Sequence, residues 1–251
     1  MKTHPRFILA ALLSLVLLAL AGPARAADAG KINVLVLIGG HDFETNQFHQ
    51  MFQANADITF EVVEHPKAYA RLRPDAVKAY DVLVLYDMWQ KITPEAKADF
   101  VSALKAGKGL ISLHHSIADC QQWPEYEEIV GGKYYLDKTV VKGVEKARST
   151  WQHDVMIKVQ VADPAHPITR GVQDFTIHDE AYGKYDMAPE SHTLLTTENP
   201  LCAKNVAWAK TYGPARVAYI QLGHDHYAYE DPNYRRLVAN AIRWAAKQDK
   251  P

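Results

Sequence analysis

Twelve histidines against two cysteines make imidazole, together with 29 acidic side chains, the reactive inventory of this 251-residue chain near neutral pH. Three histidine groups close apolar runs: Gly39-Gly40-His41-Asp42, His114-His115-Ser116 and Gly223-His224-Asp225-His226. A fourth, His178-Asp179-Glu180-Ala181-Tyr182, places two carboxylates and a phenol behind a short apolar run at 175–178. Imidazole beside carboxylate can take up and return protons, or hold a divalent ion. The expected catalytic groups are His115, Glu180, His224 and Asp179, with His41, His114, His153, Tyr182 and Trp123 around the substrate. His115, His224 and Glu180 are also the candidate ligands for zinc or manganese, although no H-E-x-x-H or comparable spacing fixes a ligand set. Any one group alone equally fits a tight turn or a solvated loop; their recurrence is what points to a site.

These groups meet only if the fold gathers them. INVLVLI (32–38), ITFEVVE (58–64), DVLVLYD (81–87) and GLISLHH (109–115) are short apolar runs rich in branched residues, as expected of strands buried on both faces. Between them lie helical spacings such as ETNQFHQMFQAN (44–55) and PEAKADFVSALKAG (94–107), the latter with Thr93 as N-cap, Pro94 in the first turn and Gly107 as stop. Such alternation predicts a three-layer α/β sandwich with a mostly parallel central sheet. Residues 133–150 show no period and read as loops or short strands. HDVMIKVQV (153–161), FTIH (175–178), HTLLTT (192–197) and NVAWAKTYG (205–213) read as an antiparallel or mixed extension of the sheet. RVAYIQLGH (216–224) and a helix over 232–247, with Leu237, Ala241, Trp244 and Ala245 on one face, close the chain. Groups just past the carboxyl ends of parallel strands line the crevice where ligands bind, so three of the four histidine groups converge at one edge.

Composition narrows the chemistry. A net charge of −1 without a basic cluster in the body of the chain excludes the electrostatic footprint of a nucleic-acid binder. G-x-G-x-x-G, the P-loop spacing and G-x-S-x-G are missing, which argues against a nucleotide cofactor and a serine-hydrolase elbow. Residues 1–26, with Lys2 and Arg6 ahead of an uncharged run at 7–21 and Ala24-Arg25-Ala26, read as a secretory signal. The mature chain is then one domain over 27–251, secreted and in a bacterium periplasmic, with no membrane contact after cleavage. Cys120 and Cys202 are open to pairing or to remaining thiols in that compartment. A homo-oligomer is compatible with the sequence. Trp123, Tyr126, Tyr134, Tyr135, Trp151 and Trp208 include candidates for a stacking platform of the kind sugars use.

Six blocks then occur in a familiar order: GKGLISLHHS (107–116), WPEYEEIVGG (123–132), HPITRG (166–171), DEAY (179–182), AWAKTYGPARVAYIQLGH (207–224) and NAIRWAA (240–246). Over residues 31–246 the chain resembles the trehalose-utilisation (ThuA-like) family, whose fold is that of the class I glutamine amidotransferases. In amidotransferases of this fold the turn after the corresponding strand carries a nucleophilic cysteine; here it carries His114 and His115, so the resemblance implies that glutamine hydrolysis is lost. It further implies a small-molecule carbohydrate substrate, a sugar or 3-keto-sugar glycoside undergoing hydrolysis, elimination or isomerisation. The family pattern has a histidine soon after the Gly-Gly turn, a place taken by His153 beyond the 133–150 excursion. The rival reading is a non-catalytic carbohydrate-binding protein on the same fold, which would lack strongly perturbed acid–base groups.

Overall fold

The computed structural model describes residues 30–249; the secretory segment read at 1–26 lies outside them. In chain order the elements are β1 (Ile32–Gly39), α1 (Thr45–Gln53), β2 (Ile58–Glu64), α2 (Tyr69–Leu72), β3 (Val82–Asp87), α3 (Pro94–Lys105), β4 (Gly109–Leu113) and α4 (Pro124–Val130). They continue with β5 (Gly132–Lys133), β6 (Thr139–Val141), β7 (Val144–Lys146), β8 (Thr150–Val161), β9 (Phe175–Gly183), β10 (Asp186–Met187), β11 (His192–Thr196), β12 (Asn205–Tyr212), β13 (Ala215–Ile220), α5 (His226–Glu230) and α6 (Pro232–Ala245).

Nine strands form one sheet in the order β2-β1-β3-β4-β13-β12-β11-β8-β9. The first five are parallel, and β12, β11, β8 and β9 extend them antiparallel. Alternate residues of β1 enter opposite layers. Val34 and Val36 pack with Phe48, Phe52, Leu237 and Ala241, whereas Leu35 and Leu37 pack with Leu72, Phe100 and Leu104. The α/β sandwich and its mixed extension are therefore as expected. Helix α3 starts where Thr93 Oγ1 accepts the Ala96 amide at 3.2 Å, with Pro94 next. Helix α6 starts where Asp231 accepts the amides of Asn233 and Tyr234, and its face of Leu237, Ala241, Trp244 and Ala245 is buried.

One local expectation changes, and a second, loops or short strands over 133–150, is met by short strands. The short strand at 175–178 runs on to Gly183, because β8 pairs with it from Val159↔Phe175 to Thr150↔Gly183; Asp179, Glu180 and Tyr182 lie inside a strand, not behind one. Residues 133–150 contribute β5, paired with β10, and the β6–β7 hairpin, on which Val140 and Val144 are exposed. Cys120 and Cys202 are both free thiols, in clusters belonging to different layers.

Candidate functional site

The ends of β1, β4 and β13 deliver three of the four histidine groups to one place. Gly40 turns the chain after β1 with φ +80°, and a Cβ there would come within 2.5 Å of the Met88 carbonyl oxygen. The next residue, the exposed His41, stacks on His115 with ring centroids 4.5 Å apart. After β4, His114 adopts the left-handed conformation with φ 49°, unusual for a non-glycine residue. That backbone turns His114 and His115 in different directions, their rings 5.5 Å apart and nearly perpendicular.

His114 is fully buried. Its Nδ1 lies 2.6 Å from the Gln221 carbonyl, which can only accept, so Nδ1 carries a proton and Nε2 faces the site. Nε2 lies 3.0 Å from Glu180 Oε2 and 3.0 Å from the Tyr182 hydroxyl. His224 Nδ1 lies 3.2 Å from the same carboxylate oxygen without an aligned hydrogen bond, and His153 Nδ1 lies 3.3 Å from Oε1. One carboxylate thus has three imidazoles within 3.3 Å. Burial alone would raise the Glu180 carboxyl, but the hydrogen bond of His114 and the close approach and charge of His114 and His224 overrule it and hold it well below the usual carboxylate range. For His224, burial opposes the charged form, yet the Glu180 carboxylate carries it above its ordinary value.

His153 arrives by a different device. The register of β8 against β9 slips between Gln152 and Val155, and Asp154 takes φ 58°. At this bulge the His153 ring comes within 4.4 Å of His224 and 4.8 Å of Trp151. The resulting crevice has about 230 Å³ of free volume and is lined by His41, His115, Glu180, Tyr182, His153 and Trp151, with Tyr134, Leu136, Met88, Ala118 and Arg148 completing it.

His115 is the unusual member. It is 2% exposed, neither ring nitrogen has a partner, and it lines the crevice. Burial, reinforced by repulsion from His114 and His41, pushes its pKa well below the ordinary histidine value. It is therefore held as a neutral imidazole, with no aligned hydrogen bond at either nitrogen.

Three expectations are corrected by this arrangement. Asp179, expected to be catalytic, has its oxygens occupied by the amides of Gly223 (2.8 Å), His224 (3.0 Å) and Glu180 (2.8 Å); it positions the turn bearing His224. Burial nevertheless raises its carboxyl. Trp123, expected beside the substrate, is buried against Phe100 and Tyr126 and does not line the crevice. Of the other aromatic candidates only Tyr134 and Trp151 line the crevice, since Tyr126, Tyr135 and Trp208 are core. Third, among the described residues the group able to hold a cation is His114, Glu180 and His224, whose ligand atoms lie within 4.8 Å of one another; His114 stands where His115 was expected.

Two supporting residues went unnoticed in the sequence. Gln221 receives His114 through its carbonyl and donates its side-chain amide to the Glu180 carbonyl at 2.8 Å; a single amide in an apolar strand end was the available signal. Arg148 lies in the aperiodic stretch and carried none.

The comparisons agree with this frame. Residues 33–245 match the family described as trehalose utilisation, ThuA. A ThuA-like protein from Parabacteroides merdae superposes with a TM-score of 0.70 at 18% identity, covering 86% of this chain and 90% of its own. One from Bacteroides uniformis gives 0.63 at 18% identity, covering 89% and 95%. A cytoplasmic protein from Salmonella typhimurium gives 0.58 at 13% identity, covering 84% and 98%. No curated protein matches the chain in sequence.

Proposed function

The chain belongs to the trehalose-utilisation (ThuA) family, and on that premise we propose that it is an exported enzyme that isomerises, eliminates or hydrolyses a 3-keto-sugar glycoside at the Glu180 crevice. The family supports a carbohydrate-related role. The observation that carries the finer reading is the pairing of a neutral, unpartnered His115 with a carboxylate enclosed by three imidazoles in an open crevice. Strongly perturbed groups that converge on a ligand-sized space favour chemistry over plain binding.

His115 removes the proton from the carbon beside the ketone; the C–H electron pair moves toward the carbonyl carbon and the oxygen takes the charge of an enediolate. Returning the proton to the former carbonyl carbon, as the adjacent hydroxyl passes its proton to the enediolate oxygen, isomerises the sugar. Expulsion of the glycosidic oxygen on the next carbon, protonated by the His115 imidazolium, instead eliminates the aglycone. Tyr134 stays protonated, burial pushing it up to about 12, and presents a hydroxyl donor to the sugar; burial also keeps the Tyr182 hydroxyl protonated, and it faces His114 Nε2.

The donor set also fits a divalent ion. Two imidazole nitrogens and one carboxylate leave coordination positions open, and the Gln221 carbonyl fixes the His114 tautomer in the way metal-bound histidines are usually fixed. A zinc or manganese ion held there supplies Lewis-acid stabilisation of an oxyanion. His224 Nδ1 serves either the ion or a proton shared with Glu180, so ion uptake releases protons.

The test is solvent-deuterium incorporation into a 3-keto-glycoside by NMR, with metal content read by elemental mass spectrometry. The expected result is deuterium beside the ketone with the natural protein, its loss in His115→Gln, and loss of the metal in His114→Ala. Turnover without exchange in the natural protein, or undiminished exchange in His115→Gln, would contradict the reading.

A further inference from the structure

The crevice is lined by the imidazoles and Glu180 and by two residues of another kind: Trp151, at the start of β8, is 54% exposed yet lines it, and Arg148 lines it three residues earlier. An exposed indole at a crevice mouth suits the apolar face of a sugar ring.

Arg148 has no carboxylate partner among the described residues, whereas other cations of this segment do. Lys146 takes Asp186 at 2.5 Å and Lys138 takes Glu145 at 3.0 Å. The segment holding Arg148 is pinned rather than loose: the Ser149 amide donates to the Tyr135 carbonyl at 2.9 Å, and Ser149 Oγ accepts the Tyr135 amide and donates to the Lys184 carbonyl, each at 2.9 Å. The guanidinium is near enough to Tyr134, on the crevice wall, for its charge to act on that phenol. An unpaired arginine fork lining the same crevice as an indole presents five donors in a plane that matches a carboxylate or phosphate.

Resting on the carbohydrate reading above, we propose that Arg148 and Trp151 form an anion-selecting subsite, and that the sugar taken by this crevice carries a negative group, a carboxylate or a phosphate. Trp151 stacks on the ring while Arg148 holds the anion, which orients the ring against the imidazole wall.

The experiment titrates glucose, glucuronate and glucose 6-phosphate into the chelator-treated mature protein, so that no ion at Glu180 can hold the acid, and reads tryptophan fluorescence and heat. The expected result is that at least one anionic sugar binds about tenfold more tightly than glucose, a factor typical of a charge-assisted bidentate contact. Which of the two gains more identifies the anion. Arg148→Gln should erase the preference without weakening glucose, Arg148→Lys should restore part of it, and Trp151→Phe should remove the fluorescence signal. Glucose binding as tightly as both anionic sugars, or a preference that survives in Arg148→Gln, would overturn the subsite while leaving the carbohydrate reading intact. If none of the three sugars binds, the carbohydrate reading fails and the subsite with it.

Discussion

The Glu180 crevice and a closed pocket beside it are built from the same residue types at the same sheet edge, yet they hold their protons oppositely. The pocket lies past the ends of β1 and β3, where Leu37, Leu85, Phe100 and Trp123 enclose His65, Asp87, Asp119 and Cys120 around about 20 Å³, room for roughly one water. His65 Nε2 is 2.7 Å from Asp87 Oδ2, and Asp119 Oδ1 accepts the Trp89 amide at 2.5 Å. Burial, then the charge of Asp87, pushes Asp119 well above its ordinary value, and the same two causes raise the Cys120 thiol to about 12. In the crevice, His114 and His224 compensate the buried charge of Glu180 and hold its carboxyl well below the usual carboxylate range. Having one imidazole for two carboxylates and a thiol, the pocket stores its acid neutral. Residue type alone therefore does not mark a reactive site; the ratio of cations to acids and access to solvent do.

The comparison is broken most severely at Glu180. Glu180→Gln removes the charge that three imidazoles approach and should lower turnover of a 3-keto-glycoside by about 10²–10⁴-fold, with the fold intact by circular dichroism. Next in size, Asp179→Ala strands the buried amides of Gly223 and His224 and should cost about 3 kcal/mol in urea unfolding, with loss of activity through the displaced His224 turn.

The pocket predicts a smaller effect of defined sign. Asp119 keeps in the folded state a proton that the unfolded chain releases above about pH 4. Its contribution to stability is present below that pH and is lost as pH rises through the higher folded-state value. Asp119→Asn cannot release a proton, so its Tm should fall less than that of the natural protein between pH 5 and pH 9. An identical slope would mean that Asp119 is ionised in the fold. Smallest of all, Trp123→Phe should change kcat/KM by less than about twofold, since its ring packs on Phe100 and not on the crevice.

How much of this was legible in the sequence follows the same division. The parallel half could be read because INVLVLI and DVLVLYD are unbroken branched runs, and Thr93-Pro94 marks a helix start by its chemistry. The convergence of His41, His114, His115 and His224 followed from their positions at strand ends. Which of two adjacent residues faces the crevice was not legible. Asp179 and Glu180 have opposite fates because β9 alternates, and its phase is set by the β8 pairing with its slip after Gln152. His114 and His115 are separated by a left-handed φ that nothing in LHHS announces. Trp123 follows the same limit, since an indole looks alike in a sequence whether it stacks on sugar or on Phe100.

The most direct test is to measure turnover of one 3-keto-glycoside by Glu180→Gln and Cys120→Ala side by side. Loss of activity in Glu180→Gln with full activity in Cys120→Ala is the predicted result, because the thiol is buried and neutral while the carboxylate is ionised at the open crevice. Activity that survives in Glu180→Gln and disappears in a folded Cys120→Ala would place the chemistry in the closed pocket and contradict the account.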